Sequence, residues 1–256
     1  MAKSKIKQFQ DIVWQHHRRE GRHTLPWRRT QDPYKILVSE VMLQQTQAAR
    51  VIPFYRKFIR KFPTARILAA APLPRVLKAW QGLGYNRRAK YLHEAAKKFG
   101  KLPLADLPGI GPYTARAVEA FAYNKDVVFV ETNIRTAVIH HFFPKKKKIP
   151  DMKIEEILAK ALPKRKSREW YSALMDYGAH LKRSGVRLNT RSRHYTKQSS
   201  FKGSMRETRG AILRAYLARL PLGPLRRRFP DRYARALAAL KQEGLIQKQK
   251  ARRSAP

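Results

Sequence analysis

Leu107-Pro108-Gly109-Ile110-Gly111-Pro112-Tyr113-Thr114-Ala115 (LPGIGPYTA) is the stretch on which the fold turns. Two glycines at i and i+2 in an apolar frame read as a tight turn between helices. Such a turn exposes backbone N–H groups at a helix N-terminus, where the positive end of the dipole favours a phosphate. A plain helix–turn–helix connection would use the same residues. The basic chain and the helical run that follows (Ala115, Val118, Ala120, Phe121) favour a DNA-binding hairpin. Contact of that kind positions a duplex without reading its bases.

Outward from the turn, apolar residues recur at helical spacing: Phe9, Ile12, Val13 and His16; Tyr34, Leu37, Val38, Val41 and Met42; Val51, Phe54, Tyr55, Phe58 and Ile59. Prolines at 26, 33, 53, 63, 72, 103, 108, 112, 144, 150 and 163 fall mostly between these segments or at their starts. Strand-like alternation is scarce, so the expected class is all-α. Residues 143–150 (FPKKKKIP) read as a solvated basic loop, and 182–202 as a linker or extended surface segment. Beyond it the periodicity predicts helices over 207–220 and 231–242, with Gly244 as a helix stop. Residues 200–256 hold 15 Lys/Arg against 3 Asp/Glu, which fits a small basic helical or winged-helix module.

The chain of 256 residues carries 57 Lys+Arg against 17 Asp+Glu, a formal +40. Self-repulsion of that size calls for a polyanionic partner, nucleic acid before an acidic membrane. No apolar run reaches the roughly 18 residues of a spanning helix, and no signal-like core follows the polar start MAKSKIKQ. A soluble, cytoplasmic protein without a membrane partner is expected, nucleoid-associated if prokaryotic. With no cysteine there is no disulfide, thiol nucleophile or thiolate-held cluster. The eight His show no metal-ligand spacing, so no metal site is expected.

Acids are scarce, so their placement is informative. Glu40, in Ser39-Glu40-Val41-Met42-Leu43-Gln44-Gln45-Thr46, lies on a helix that is apolar on nearly every side. Desolvation there would raise its pKa and suit a general acid; pairing with Arg28 or Arg87 is the alternative. Gln44 and Gln45 could reach bases or could simply end the helix. Glu131, in Val128-Phe129-Val130-Glu131-Thr132-Asn133-Ile134-Arg135, closes a buried run at the start of a helix over 133–143. It could favour the helix dipole, serve as a second carboxylate for cleavage of a glycosidic bond, or do both. Tyr85, in the glycine turn Gly82-Leu83-Gly84-Tyr85, could wedge into a base stack or pack on a neighbouring helix.

Four motifs in order, LPWR (25–28), SEVMLQQTQ (39–47), GLGY (82–85) and LPGIGPYTA (107–115), closely resemble the helix-hairpin-helix (HhH-GPD) DNA glycosylases, above all the MutY-type adenine glycosylases. The resemblance spans residues about 8–180. It implies a two-lobed all-α fold, with a core over 1–198 whose active site lies between helical lobes. The hairpin is then 107–115, a cluster-less loop covers about 181–198, and 199–256 form the appended module. It assigns protonation of the adenine to Glu40, the pocket wall to Tyr113, and stabilisation of the sugar cation to Glu131 with Asn133 as an orienting amide. Duplex contacts fall to Arg28, Gln44, Gln45, Tyr85, Gly109 and Gly111. The implied activity is monofunctional removal of a mispaired base from double-stranded DNA by a monomer, adenine opposite G or 8-oxoG first. Thymine or uracil opposite G is the alternative, and a non-catalytic DNA-binding protein a second one.

The departures are specific. The family usually has Asp where this chain has Glu131. The related lyases carry a nucleophilic Lys where this chain has Tyr113, so efficient strand cleavage is not expected. Met175-Asp176-Tyr177-Gly178-Ala179 matches the approach to the family's four-cysteine cluster, yet 181–195 hold no Cys. No cofactor is therefore expected, although the hairpin could hold a structural monovalent cation. The domain that reads 8-oxoguanine looks replaced by the basic module.

Overall fold

The structure, a computed structural model, describes residues 2–186, 188–193 and 200–246. Those residues form thirteen α-helices and no named strand. In chain order they are α1 (Ala2–Glu20), α2 (Pro33–Leu43), α3 (Ala48–Lys61), α4 (Ala65–Ala70), α5 (Leu73–Trp80), α6 (Arg87–Lys98) and α7 (Pro112–Tyr123). Then follow α8 (Thr132–Phe142), α9 (Asp151–Ala161), α10 (Ser167–Arg183), α11 (Met205–Leu217), α12 (Gly223–Arg228) and α13 (Pro230–Gln242). Among the described residues no helix is long and apolar enough to cross a membrane. Contacts divide the chain into two compact units. One holds Met1–Gln44, Pro103–Asp106 and Ile110–Lys197; the other holds Gln45–Leu102, Leu107–Gly109 and Gln198–Pro256.

The first unit is built around α10. Its buried face (Trp170, Tyr171, Ala173, Leu174, Tyr177 and Leu181) packs against α1, α7 and α8. Phe129 from the extended run 127–131 stacks on Tyr171 with ring centroids 4.0 Å apart, and the Tyr171 hydroxyl donates to the Val127 carbonyl at 2.8 Å. The run is thus tied to α10 just before Glu131. Gly178 lets α8 approach closely: a Cβ there would lie 2.0 Å from the Asn133 carbonyl oxygen, which is why this helical position takes glycine. One acid gathers the N-terminal segment onto α10. Asp176, 2% exposed, accepts from the Arg22 and Arg28 guanidinium groups at 2.5 and 2.6 Å and lies 3.4 Å from His17 Nδ1.

In the second unit Trp80 and Phe58 anchor α3–α6, their rings edge-on at 5.8 Å. Pro53 departs from the expected punctuation by lying inside α3, where it removes one ladder hydrogen bond. The C-terminal helices α11 and α13 pack on each other, and α11 packs on α5. No strand occurs over 200–246, so the described part of the module takes the helical alternative. The six-residue α12 escaped the periodicity because it is too short to show one. Gly244 ends α13 with φ +66°, in the left-handed region glycine favours.

Candidate active site

α2 begins on Pro33 at its first position. The Asp32 side chain caps it, accepting from the Tyr34 and Lys35 amides. Eight residues between Tyr34 and Met42 are then buried, Glu40 among them at 5% exposure. Burial raises the Glu40 carboxyl, a hydrogen bond from Tyr113 opposes this, nearby Glu131 adds to it and Arg28 subtracts; the balance pushes it up to about 7. A carboxyl poised there can hold a proton and give it up near neutral pH. The Tyr113 hydroxyl donates to Glu40 Oε2 at 3.3 Å. Burial, then the charges of Glu40 and Glu131, push the Tyr113 phenol well above its ordinary range, so it stays a neutral donor.

Tyr113 is placed by the hairpin. Gly111 caps α7 and Pro112 occupies its first turn. Gly109 has φ +71°, and a Cβ on it would meet Tyr91 Cβ at 2.4 Å, so both backbone and packing demand glycine. Gly111 differs: its φ is −83° and a Cβ there meets nothing within 4 Å. The fold of the chain does not require that glycine.

Glu131 is itself the N-cap of α8, because the helix starts at Thr132, one position earlier than expected. Its carboxylate accepts from the Asn133 backbone amide at 2.6 Å and from Asn133 Nδ2 at 3.2 Å. The Asn133 Oδ1 in turn accepts from Lys182 Nζ at 2.7 Å, which fixes the amide with its NH2 toward Glu131. Glu40, Tyr113, Glu131 and Asn133 all fall in the first unit.

Two of these neighbours carry no local signature in the sequence. Lys182 is half-buried; burial lowers its pKa, Glu131 raises it and Arg135 lowers it, with a net lowering. Burial alone would raise the Asp176 carboxyl. The nearby His17, then the hydrogen bonds and charge of Arg28 and the charge of Arg22, overcome that and hold it far below the usual carboxylate range. Arg28, expected at the duplex, donates to Asp176 through both terminal nitrogens, at 2.6 and 2.9 Å, which pairs the buried acid. Arg87, the other candidate for Glu40, bonds the Tyr91 hydroxyl at 2.6 Å and lies 4.0 Å from Glu243.

Gln44 Nε2 lies 3.4 Å from Thr114 Oγ1. Gln45 is exposed with φ +53°, a conformation that costs a non-glycine residue energy and is concentrated at functional sites. Tyr85, in the second unit, also has a positive φ (+47°). The Arg88 and Arg206 guanidinium groups lie 5.4 and 5.3 Å from its ring centroid, and Arg206 Nη1 donates to its hydroxyl at 3.0 Å.

Residues 38–164 match the HhH-GPD superfamily of base excision DNA repair proteins. An adenine DNA glycosylase of Buchnera aphidicola subsp. Baizongia pistaciae is 39% identical over 186 residues, covering 67% of this chain and 52% of its own. One from Mycolicibacterium smegmatis is 47% identical over 138 residues, 50% of this chain and 46% of its own. The chain belongs to the HhH-GPD superfamily. It spans about half the length of the curated relatives it matches. Among solved structures, a thermostable thymine-DNA glycosylase superposes with TM-score 0.60 at 27% identity, over 69% of this chain and 87% of that one. Endonuclease III in a non-covalent DNA complex superposes with TM-score 0.57 at 19% identity, over 68% and 85%, a likeness of fold. The HhH-GPD match takes in Glu40, Tyr113, Glu131 and Asn133 but ends before Asp176, Lys182 and the C-terminal helices. With no cysteine in the sequence, the chain offers no thiolates to an iron–sulfur cluster. Of the loop expected in its place, 187 and 194–198 lie outside the described residues. The described part continues α10 to Arg183, and Ser192 then bridges to Ile149.

Proposed function

We propose that this protein is a monofunctional DNA glycosylase that removes adenine mispaired with G or 8-oxoG by hydrolysing its N-glycosidic bond. The observation that carries the reading is Glu40, a buried carboxyl held at about 7 and hydrogen-bonded to Tyr113. In this reading the adenine is flipped out of the duplex and faces Glu40. Glu40 gives its proton to the base nitrogen N7, the bond between C1′ and N9 breaks, and its electron pair leaves with the base. The cation left on the sugar is stabilised by the Glu131 carboxylate, which Asn133 and Lys182 hold in place. Water adds to C1′ and releases a proton. The basic chain and the open space at Gly111, where a phosphate could approach the backbone, support DNA as the ligand. The adenine glycosylases among the relatives support the base.

A second reading, thymine or uracil opposite G, is favoured by the likeness to the thymine-DNA glycosylase structure. Single-turnover base release from A:G, A:8-oxoG, T:G and U:G duplexes tests both. Adenine release is expected, and release of pyrimidine alone would transfer the assignment to the second reading. No release from any of the four, with duplex binding intact, would overturn the enzyme reading.

A further inference from the structure

The sequence spreads its histidines without metal-ligand spacing, but packing of α1 against α10 brings two of them together with an acid. His16 and Glu20 are four residues apart and so share one face of α1. His180 comes from α10, and its ring centroid lies 4.6 Å from that of His16, with the planes inclined at 47°. His180 Nδ1 is 3.6 Å from Glu20 Oε2. One ligand atom from each of the three lies within 4.8 Å of the other two. We propose that His16, Glu20 and His180 form a site for a divalent transition ion of the zinc class, outside the active site.

The donor set is of the right chemistry. Two imidazoles and a carboxylate suit zinc, with a fourth position left to water. Zinc holds such atoms about 2.0–2.2 Å from itself, so the three must close by about an ångström or more. Side-chain rotation supplies this, because the Glu20 and His180 side chains are 54% and 37% exposed and can swing. A second observation points the same way: His16 Nε2 is buried and makes no hydrogen bond, an arrangement that costs free energy unless something compensates it. His180 lies one helical turn beyond Asp176, so a bound ion would cross-link the same α1–α10 seam that Asp176 ties through Arg22.

Titration calorimetry with ZnCl2 on tag-free, chelator-stripped protein is the test, paired with thermal denaturation with and without zinc. One equivalent should bind, and the melting temperature should rise with zinc. Glu20→Gln, at an exposed position that leaves the fold intact, should weaken binding at least tenfold. His180→Ala should abolish both binding and the thermal shift, whereas His140→Ala should leave them unchanged. Absence of a one-to-one isotherm in the wild type, or affinity unchanged in both Glu20→Gln and His180→Ala, overturns the proposal.

Discussion

Replacing Glu40 by Gln removes an ionisable group from a buried site while keeping its shape and its ability to accept from Tyr113. The folded chain holds this carboxyl at about 7, against an ordinary 4.5. At about 1.4 kcal/mol for each tenfold change in proton affinity, the difference is worth about 3 kcal/mol. Below an ordinary carboxyl pKa the group is protonated whether the chain is folded or not, so it costs nothing. As pH rises from there to about 7 the unfolded chain loses the proton first, which favours unfolding, and the penalty is complete above about 7. Glu40→Gln should therefore match the wild type near about pH 4 and exceed it by about 3 kcal/mol at about pH 8. Urea unfolding followed by tryptophan fluorescence across this range measures the difference directly. A gap that does not grow with pH would refute the burial argument, whatever the enzyme acts on. On the proposed function, the same variant loses base release while gaining stability, the trade expected of a strained catalytic group.

Three further outcomes follow from named contacts. Asp176→Asn strips the buried partner from Arg28 and Arg22 and should cost about 3–5 kcal/mol in thermal or chemical unfolding; a loss under about 1 kcal/mol would mean the arginines find other acceptors. Gly178→Ala forces a methyl against the Asn133 carbonyl, so both melting temperature and base release should fall, and a fully active variant of normal stability would contradict the packing. Arg206→Ala frees the Tyr85 ring from its C-terminal neighbour. It should change stability by less than about 1 kcal/mol yet weaken duplex affinity in an anisotropy titration. Arg206→Lys should not restore that affinity, because lysine lacks the planar fork.

What could be read from the sequence was what local pattern encodes. Glu40 stood out because its neighbours on the helix are apolar, and their burial is what moves its pKa. Glu131 was recognisable at a helix start because an apolar run ended there, of which Phe129 is buried and the valines are half-buried, though its place as the cap itself depends on where α8 begins. Gly109 was legible as a turn glycine, while the approach of Tyr91 that also requires it was not. The rest lay beyond local pattern. Asp176 meets Arg22 and Arg28 across 154 and 148 positions, and Arg206 meets Tyr85 across 121. Lys182 reaches Asn133 only because α10 and α8 touch at Gly178. His16 and His180 have no sequence relation at all; the packing of two helices makes them neighbours.

The dependence on α10 also dictates an order of events on the ribosome. Phe9 and Val13 of the first helix belong to a core whose other members include Trp170, Tyr171 and Leu174. Arg22 and Arg28 likewise wait for an acid that is translated about 150 residues later. Helices α3–α6 are complete by Lys98, so they can form while the earlier-made α1 still lacks its counterpart. The long-range closure of the first unit is then one slow and exposed step of biogenesis, as is the later packing of α11 on α5. A chain released after residue 150 would carry Glu40, Tyr113, Glu131 and Asn133 in full and have no scaffold with which to use them.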